Sequence, residues 1–96
     1  MRTLQDIRLT LNKHKPELLT KYPIKSIAIF GSYARNEQTD NSDLDLMVEF
    51  NNKFGIRFID LAEEIEDYIG IKVDLVSRKG LKDRYFRAIK SELVYV

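Results

Sequence analysis

Ninety-six residues, 44% hydrophobic and 32% charged, bound the chain to one domain (1–96) with one core. Sixteen basic residues against fifteen acidic give a formal net charge of +1, without the basic excess of a protein built to coat nucleic acid. No cysteine is present, which excludes disulfides and thiolate metal sites, and no apolar run approaches the roughly 20 residues that span a bilayer. The opening Met1-Arg2-Thr3-Leu4-Gln5-Asp6 is polar rather than an apolar leader, so a cytoplasmic protein away from membranes is expected.

The first element is a helix. Thr3 with Asp6 three residues on resembles a capping pair, and Leu4, Ile7 and Leu11 recur on one face. Pro16 is expected to interrupt this helix or to start a second short one, burying Leu18 and Leu19, and Pro23 to end it. His14, between Lys13 and Lys15, reads as a solvent-exposed helix end. Ile24 to Phe30 is the first strand, with Ile27, Ala28, Ile29 and Phe30 apolar in succession, the pattern of a strand buried on both faces. Gly31 breaks it, Ser32 to Glu37 fits a short helix, and Gln38 to Ser42 is a loop of turn formers. Asp43 to Phe50 is the second strand and Asn51-Asn52-Lys53 a turn. Phe54 to Ile69 is a helix with Phe58, Leu61, Ile65 and Tyr68 on one face, closed by Gly70. Ile71 to Ser77 is a third strand. A last helix follows Gly80, with Tyr85, Phe86, Ile89 and Leu93 as its stripe. The fold expected is α/β (α+β), a small mixed sheet of at least three strands packed with helices.

Asp43, Asp45 and Asp74 fall in these strand segments, where aspartate is disfavoured. Side chains alternate along a strand, so Asp43 and Asp45 project from one face while Leu44 and Leu46 enter the other. Like charges side by side on a sheet repel, and a divalent cation is the usual reason to keep them. Oxygen-only ligands favour Mg²⁺ or Mn²⁺, and Mg²⁺ is typically shared between carboxylates and substrate phosphates. Gly31-Ser32 supplies a turn whose backbone can approach a phosphate and a hydroxyl that can donate to it. A helix starting at Ser32 would add free N–H groups facing the anion. Arg35 could reach a phosphate or pair with a nearby acid. A Gly-Ser pair or an Asp-x-Asp pair alone says little. Ten residues between Ser32 and Asp43, with apolar strands flanking both and a third strand aspartate downstream, say much more.

In these residues the chain resembles the minimal nucleotidyltransferases (MNT) of the DNA polymerase β-like superfamily, whose signature is Gly-Ser, ten residues, Asp-x-Asp. The words Phe30-Gly31-Ser32-Tyr33-Ala34-Arg35, Ser42-Asp43-Leu44-Asp45-Leu46 and Val73-Asp74-Leu75-Val76 carry it, and the likeness runs nearly the whole chain. Asn36 replaces the glycine that commonly follows the arginine, a mild departure because asparagine tolerates left-handed backbone. The resemblance implies a polymerase β-like fold and two-metal nucleotidyl transfer. Asp43 and Asp45 would hold two Mg²⁺ ions, and Asp74 would complete the metal site on the acceptor side. Gly31, Ser32 and Arg35 would bind the nucleotide, and an acceptor oxygen would attack the α-phosphorus in line.

Stand-alone members of about this length are commonly paired with a HEPN-domain ribonuclease toxin. The resemblance implies an antitoxin that transfers AMP from ATP to a tyrosine of that toxin, in a hetero-oligomer. So short a chain leaves little surface to enclose an acceptor, which fits one supplied by a partner. Two other readings stay open: a non-catalytic antitoxin that masks its toxin by contact, and a nucleotidyltransferase acting on a small molecule such as an antibiotic. Candidate partner surfaces are the Phe54 to Tyr68 helix and the Lys79 to Lys90 segment. Lys79, Lys82, Arg84, Arg87 and Lys90 read first as a solvated face, as do Glu63, Glu64, Glu66 and Asp67. Tyr85 and Phe86 read as core. Tyr33 either packs against the loop or lies beside the base.

Overall fold

A computed structural model describes residues 2–51 and 57–96. The N-terminal helix α1 spans Leu4–Lys21 and opens on a complete capping box: Thr3 Oγ1 accepts from the Asp6 N–H at 3.1 Å, and the Asp6 carboxylate accepts from the Thr3 N–H at 3.1 Å. The helix is continuous through Pro16, contrary to the expected break. Proline deprives only the Asn12 carbonyl of its helical donor, and both residues lie on the exposed side, where water replaces the bond. Ile7, Leu11 and Leu18 are buried, but Leu19, one position round the helix, is exposed.

Strand β1 is Ile24–Phe30 and β2 is Leu44–Phe50, so Asp43 stands one residue before its strand. Helix α2 is Phe58–Ile69, β3 is Val73–Ser77, α3 is Asp83–Ile89, and a 3₁₀ turn at Lys90–Glu92 leads into the two-residue β4, Val94–Tyr95. The expected helix start at Phe54 and part of the Asn51–Lys53 turn lie outside the described residues. The sheet order is β3-β2-β1-β4, antiparallel at β1–β2 and β1–β4 and parallel at β2–β3, the mixed sheet anticipated with one further strand.

The segment after β1 is not a helix. It makes one α-turn, Arg35 N–H to Gly31 C=O at 3.1 Å. The turn is then closed by Glu37 N–H to Ser32 C=O at 2.8 Å and Asn36 N–H to Tyr33 C=O at 3.3 Å. Asn36 takes the left-handed conformation (φ 59°) that such a stop requires, so the asparagine does the work of the usual glycine.

Alternation sorts the sheet's two faces. Ile27, Ile29, Leu44, Leu46, Val48, Val73 and Leu75 join Ile7, Leu11 and Leu18 of α1 and Leu61, Ile65 and Ile69 of α2 in one core. Asp45 and Asp74, each between two of these residues, therefore face the other way. The molecule measures 33 × 31 × 18 Å, a thin slab with its helical layer on one side and its carboxylates on the other. The stripe expected on α3 is not realised: no α3 residue is fully buried and Tyr85 is exposed. Instead the Arg78 guanidinium covers the Phe86 ring at 3.7 Å, an amphipathic contact that needs no deep burial.

The two long helices are also tied by polar groups that the sequence pattern presented as solvated. Glu64 accepts from the Tyr22 hydroxyl at 3.0 Å, from Lys21 Nζ at 2.9 Å and from the Tyr68 hydroxyl. His14 is not a free helix end but stacks on Tyr68, ring centroids 3.9 Å apart and nearly parallel. Glu66 accepts from the Val73 N–H at 2.9 Å and so anchors the entry to β3. Hydrogen bonds from Tyr68, Lys21 and Tyr22 hold the Glu64 carboxyl below its usual value despite partial burial. A depressed carboxyl contributes stability above its unfolded value and loses it as pH falls through the folded one. Glu64→Ala should therefore lower Tm by roughly 5 °C at pH 7. In thermal melts across pH, the gap to wild type should shrink below pH 4.5, the ordinary glutamate value.

Candidate active site

The site forms where β1 ends against the start of β2. Phe30 pairs with Asp45 in the antiparallel register, and Gly31 follows at once with φ 76°. A β-carbon at Gly31 would lie 2.0 Å from Asp45 Oδ2 and 2.9 Å from its carboxyl carbon. Glycine is thus required twice here, by the left-handed backbone and by the carboxylate that fills the side-chain space. On the other side of β2, Asp45 is the register partner of Asp74 in parallel β3. Asp43 lies two residues before Asp45, its neighbour Leu44 fixed by an N–H bond to the Lys72 carbonyl at 2.9 Å. Asp43 and Asp74 are exposed and Asp45 half-buried.

Their electrostatics follow from this placement. Burial raises the Asp45 carboxyl above its ordinary value; Asp74 and then Asp43 push it further, Arg35 opposes, and Glu92 adds a final increment. Three oxygen-only donors that repel one another through a central member form the kind of set a hard divalent cation relieves. Among the described residues no group of three or more acidic or histidine side chains is arranged to hold a metal ion by itself, Asp43, Asp45 and Asp74 included. An open arrangement of this kind matches Mg²⁺, which takes part of its coordination from substrate phosphates and water.

The Gly31-Ser32 turn is held by carboxylates. The Gly31 N–H donates to Glu92 Oε2 at 2.6 Å. Arg35 does not stand free: its Nε donates to Glu37 at 2.9 Å and its Nη1 to Glu92 Oε2 at 2.9 Å. Of the two roles open to Arg35, pairing with nearby acids is the one the chain adopts by itself. Ser32 offers its N–H and hydroxyl, neither bonded to protein among the described residues. Tyr33 is buried in the main core and so packs beneath the turn, while it also lines the cavity beside Asp43. A cavity of about 330 Å³ opens beside Asp43, with Arg2, Tyr33, Ser42 and Lys72 in its wall. Glu92 was not legible in the sequence. It sits in an ordinary polar stretch, and only the position of β4 reveals what it faces.

A family profile described as a nucleotidyltransferase domain matches residues 11–96. The chain belongs to this family. A relative in Methanocaldococcus jannaschii, provisionally named a protein adenylyltransferase, is 48% identical over the full length of both chains. The fold is similar to a solved structure provisionally named a minimal nucleotidyltransferase, with a TM-score of 0.81 and 28% identity over 97% of this chain and 95% of that one. It is also similar to the solved structure of a tri-AMPylated Shewanella oneidensis HEPN toxin in complex with an MNT antitoxin (TM-score 0.70, 22% identity, covering 93% of this chain and 70% of that one), a likeness of fold. The nucleotidyltransferase fold expected from the signature is therefore the observed one, and the chain is an enzyme of the nucleotidyltransferase class.

Two outcomes test this geometry. Gly31→Ala should displace Asp45 and lower nucleotidyl transfer at least about 100-fold, read as initial rates. Asp45 is the opposite case to Glu64. Its carboxyl is raised in the fold, so the ionised form costs stability above both its folded and unfolded values, a cost that vanishes as pH falls. Asp45→Asn should therefore raise the Tm of the metal-free chain at pH 7. The gain should disappear as pH drops toward 3.8, the ordinary aspartate value.

Proposed function

We propose that the chain is a Mg²⁺-dependent protein adenylyltransferase that neutralises a HEPN-type toxin by transferring AMP from ATP to one of its tyrosines. The observation that carries this reading is the contact of Asp45 with the Gly31-Ser32 turn while Asp45 pairs in register with Asp74. A turn able to take a phosphate beside carboxylates able to take a cation, at the ends of the two central strands, supports that reading. The name of the 48% identical relative supports a protein acceptor, and the toxin complex of the structural neighbour supports its kind.

Ser32 would bind the triphosphate through its N–H and hydroxyl, with Arg35 beside it. Asp43, Asp45 and Asp74 would hold Mg²⁺, which when bound neutralises triphosphate charge and lowers the pKa of the attacking hydroxyl. The tyrosine oxygen attacks the α-phosphorus, the bond to the α–β bridging oxygen breaks, and pyrophosphate leaves. Asp74, exposed beside Asp45, would accept the phenolic proton. The exposure of Asp43 and Asp74 supports a large acceptor, which could reach both carboxylates from solvent. The exposed basic residues of α3 and the α2 surface are the candidate docking elements.

Purified chain incubated with α-labelled ATP, Mg²⁺ and the HEPN protein encoded beside it should place label on a tyrosine of that protein. Asp43→Ala, Asp45→Ala and Asp74→Ala should each abolish the label while keeping a folded circular-dichroism spectrum. A stable but unlabelled complex would turn the reading to masking by contact, and a small-molecule acceptor labelled in the absence of protein would turn it to the antibiotic-type class.

A further inference from the structure

Glu92 lies outside the signature and carries no part of the chemistry above, yet it holds two of the three residues expected to bind the nucleotide. A single oxygen, Oε2, accepts from the Gly31 N–H at 2.6 Å and from Arg35 Nη1 at 2.9 Å. The Glu92 side chain is only 19% exposed, against 45% for Arg35. Its position follows from the sheet. β4 pairs with β1 through Ile29–Val94 and Ala28–Tyr95, and the Val96 N–H continues the ladder to the Ile27 carbonyl at 3.0 Å. Glu92 ends the 3₁₀ turn two residues before Val94, and Gly31 lies two residues after Ile29, so the Ile29–Val94 pair brings the two together. The adjoining strand pairing thus holds the 3₁₀ turn that carries the carboxylate beside Gly31.

Both bonds act on geometry. The Gly31 N–H is anchored by Glu92 while the Asp45 carboxylate fills the space a side chain would take, so two acids bear on the left-handed turn. The Arg35 guanidinium is clamped at Nε by Glu37 and at Nη1 by Glu92. Its remaining nitrogen, Nη2, has no protein partner among the described residues, and neither has the Ser32 N–H or hydroxyl. A guanidinium held at two of its three nitrogens presents the third in a defined direction, at low entropy cost on binding. We infer that Glu92 is a positioning residue that pre-sets the Gly31 turn and Arg35 so that Ser32 and Arg35 Nη2 receive the ATP triphosphate. This rests on the proposed nucleotidyl transfer and adds to it a residue that touches no substrate.

The test is MgATP affinity of the full chain by calorimetry without any acceptor, followed by KM and kcat in the transfer assay. Glu92→Ala should weaken MgATP at least about tenfold and raise KM for ATP in proportion, with kcat within about threefold of wild type. Glu92→Gln keeps a neutral acceptor for both donors and should restore most of the affinity, a rescue that a merely electrostatic role would not give. Lys13→Ala, exposed on α1, should match wild type. If wild type binds MgATP and both Glu92 variants bind it equally well, whether or not their Tm falls, the positioning role is overturned and the parent reading stands. Tighter binding by Glu92→Ala would also overturn it, showing the carboxylate to be an obstruction. A wild-type chain that fails to bind MgATP would overturn both.

Discussion

The structure turns on the contact between Asp45 and the backbone of Gly31. β1 must stop where it does because the next residue has no room for a side chain, and β2 must begin in the register that delivers the carboxylate there. That single pairing sets the direction of Leu44 and Leu46 into the core and of Asp43 and Asp45 out of it. It also places Asp45 beside Asp74 across the parallel β2–β3 pair. A one-residue slip would bury the acids and expose the leucines, so burial of the helical face defends the active face.

The energetic consequence is a division of labour between the two sides of a slab 18 Å thin. The helical side is dry and cross-tied, with Glu64, Tyr68, Tyr22 and His14 joining the helices above a continuous apolar core. The other side keeps like charges near one another and pushes Asp45 toward protonation. Stability gathered on one face offsets electrostatic strain on the other, the pattern expected where a site is arranged to meet a cation and a polyanion together.

Much of this was legible in the chain. The bounds of β1 were read from Ile24 and the apolar Ile27-Ala28-Ile29-Phe30, the Gly70 cap from its place at the end of the α2 stripe, and the turning of Asp43 and Asp45 away from buried Leu44 and Leu46 from strand alternation. What escaped the sequence has physical reasons. Pro16 does not break α1 because the bond it removes faces water. Ser32 to Asn36 has helical composition but is stopped after one turn by a left-handed asparagine. Glu64, Glu66 and His14 resemble surface residues in composition, and only the packing of α1, α2 and β3 supplies their partners. Glu92 needed β4, a strand of two residues too short to carry a pattern.

In the proposed function the acidic face receives a triphosphate only together with a cation, because Asp43, Asp45, Asp74 and Glu92 would otherwise repel the nucleotide from the Gly31-Ser32 turn. Calorimetric titration of ATP into the wild-type chain, with Mg²⁺ and then with excess chelator, tests this most directly. The account predicts saturable binding with Mg²⁺ and none measurable without it. Equal affinity in the chelator would contradict it.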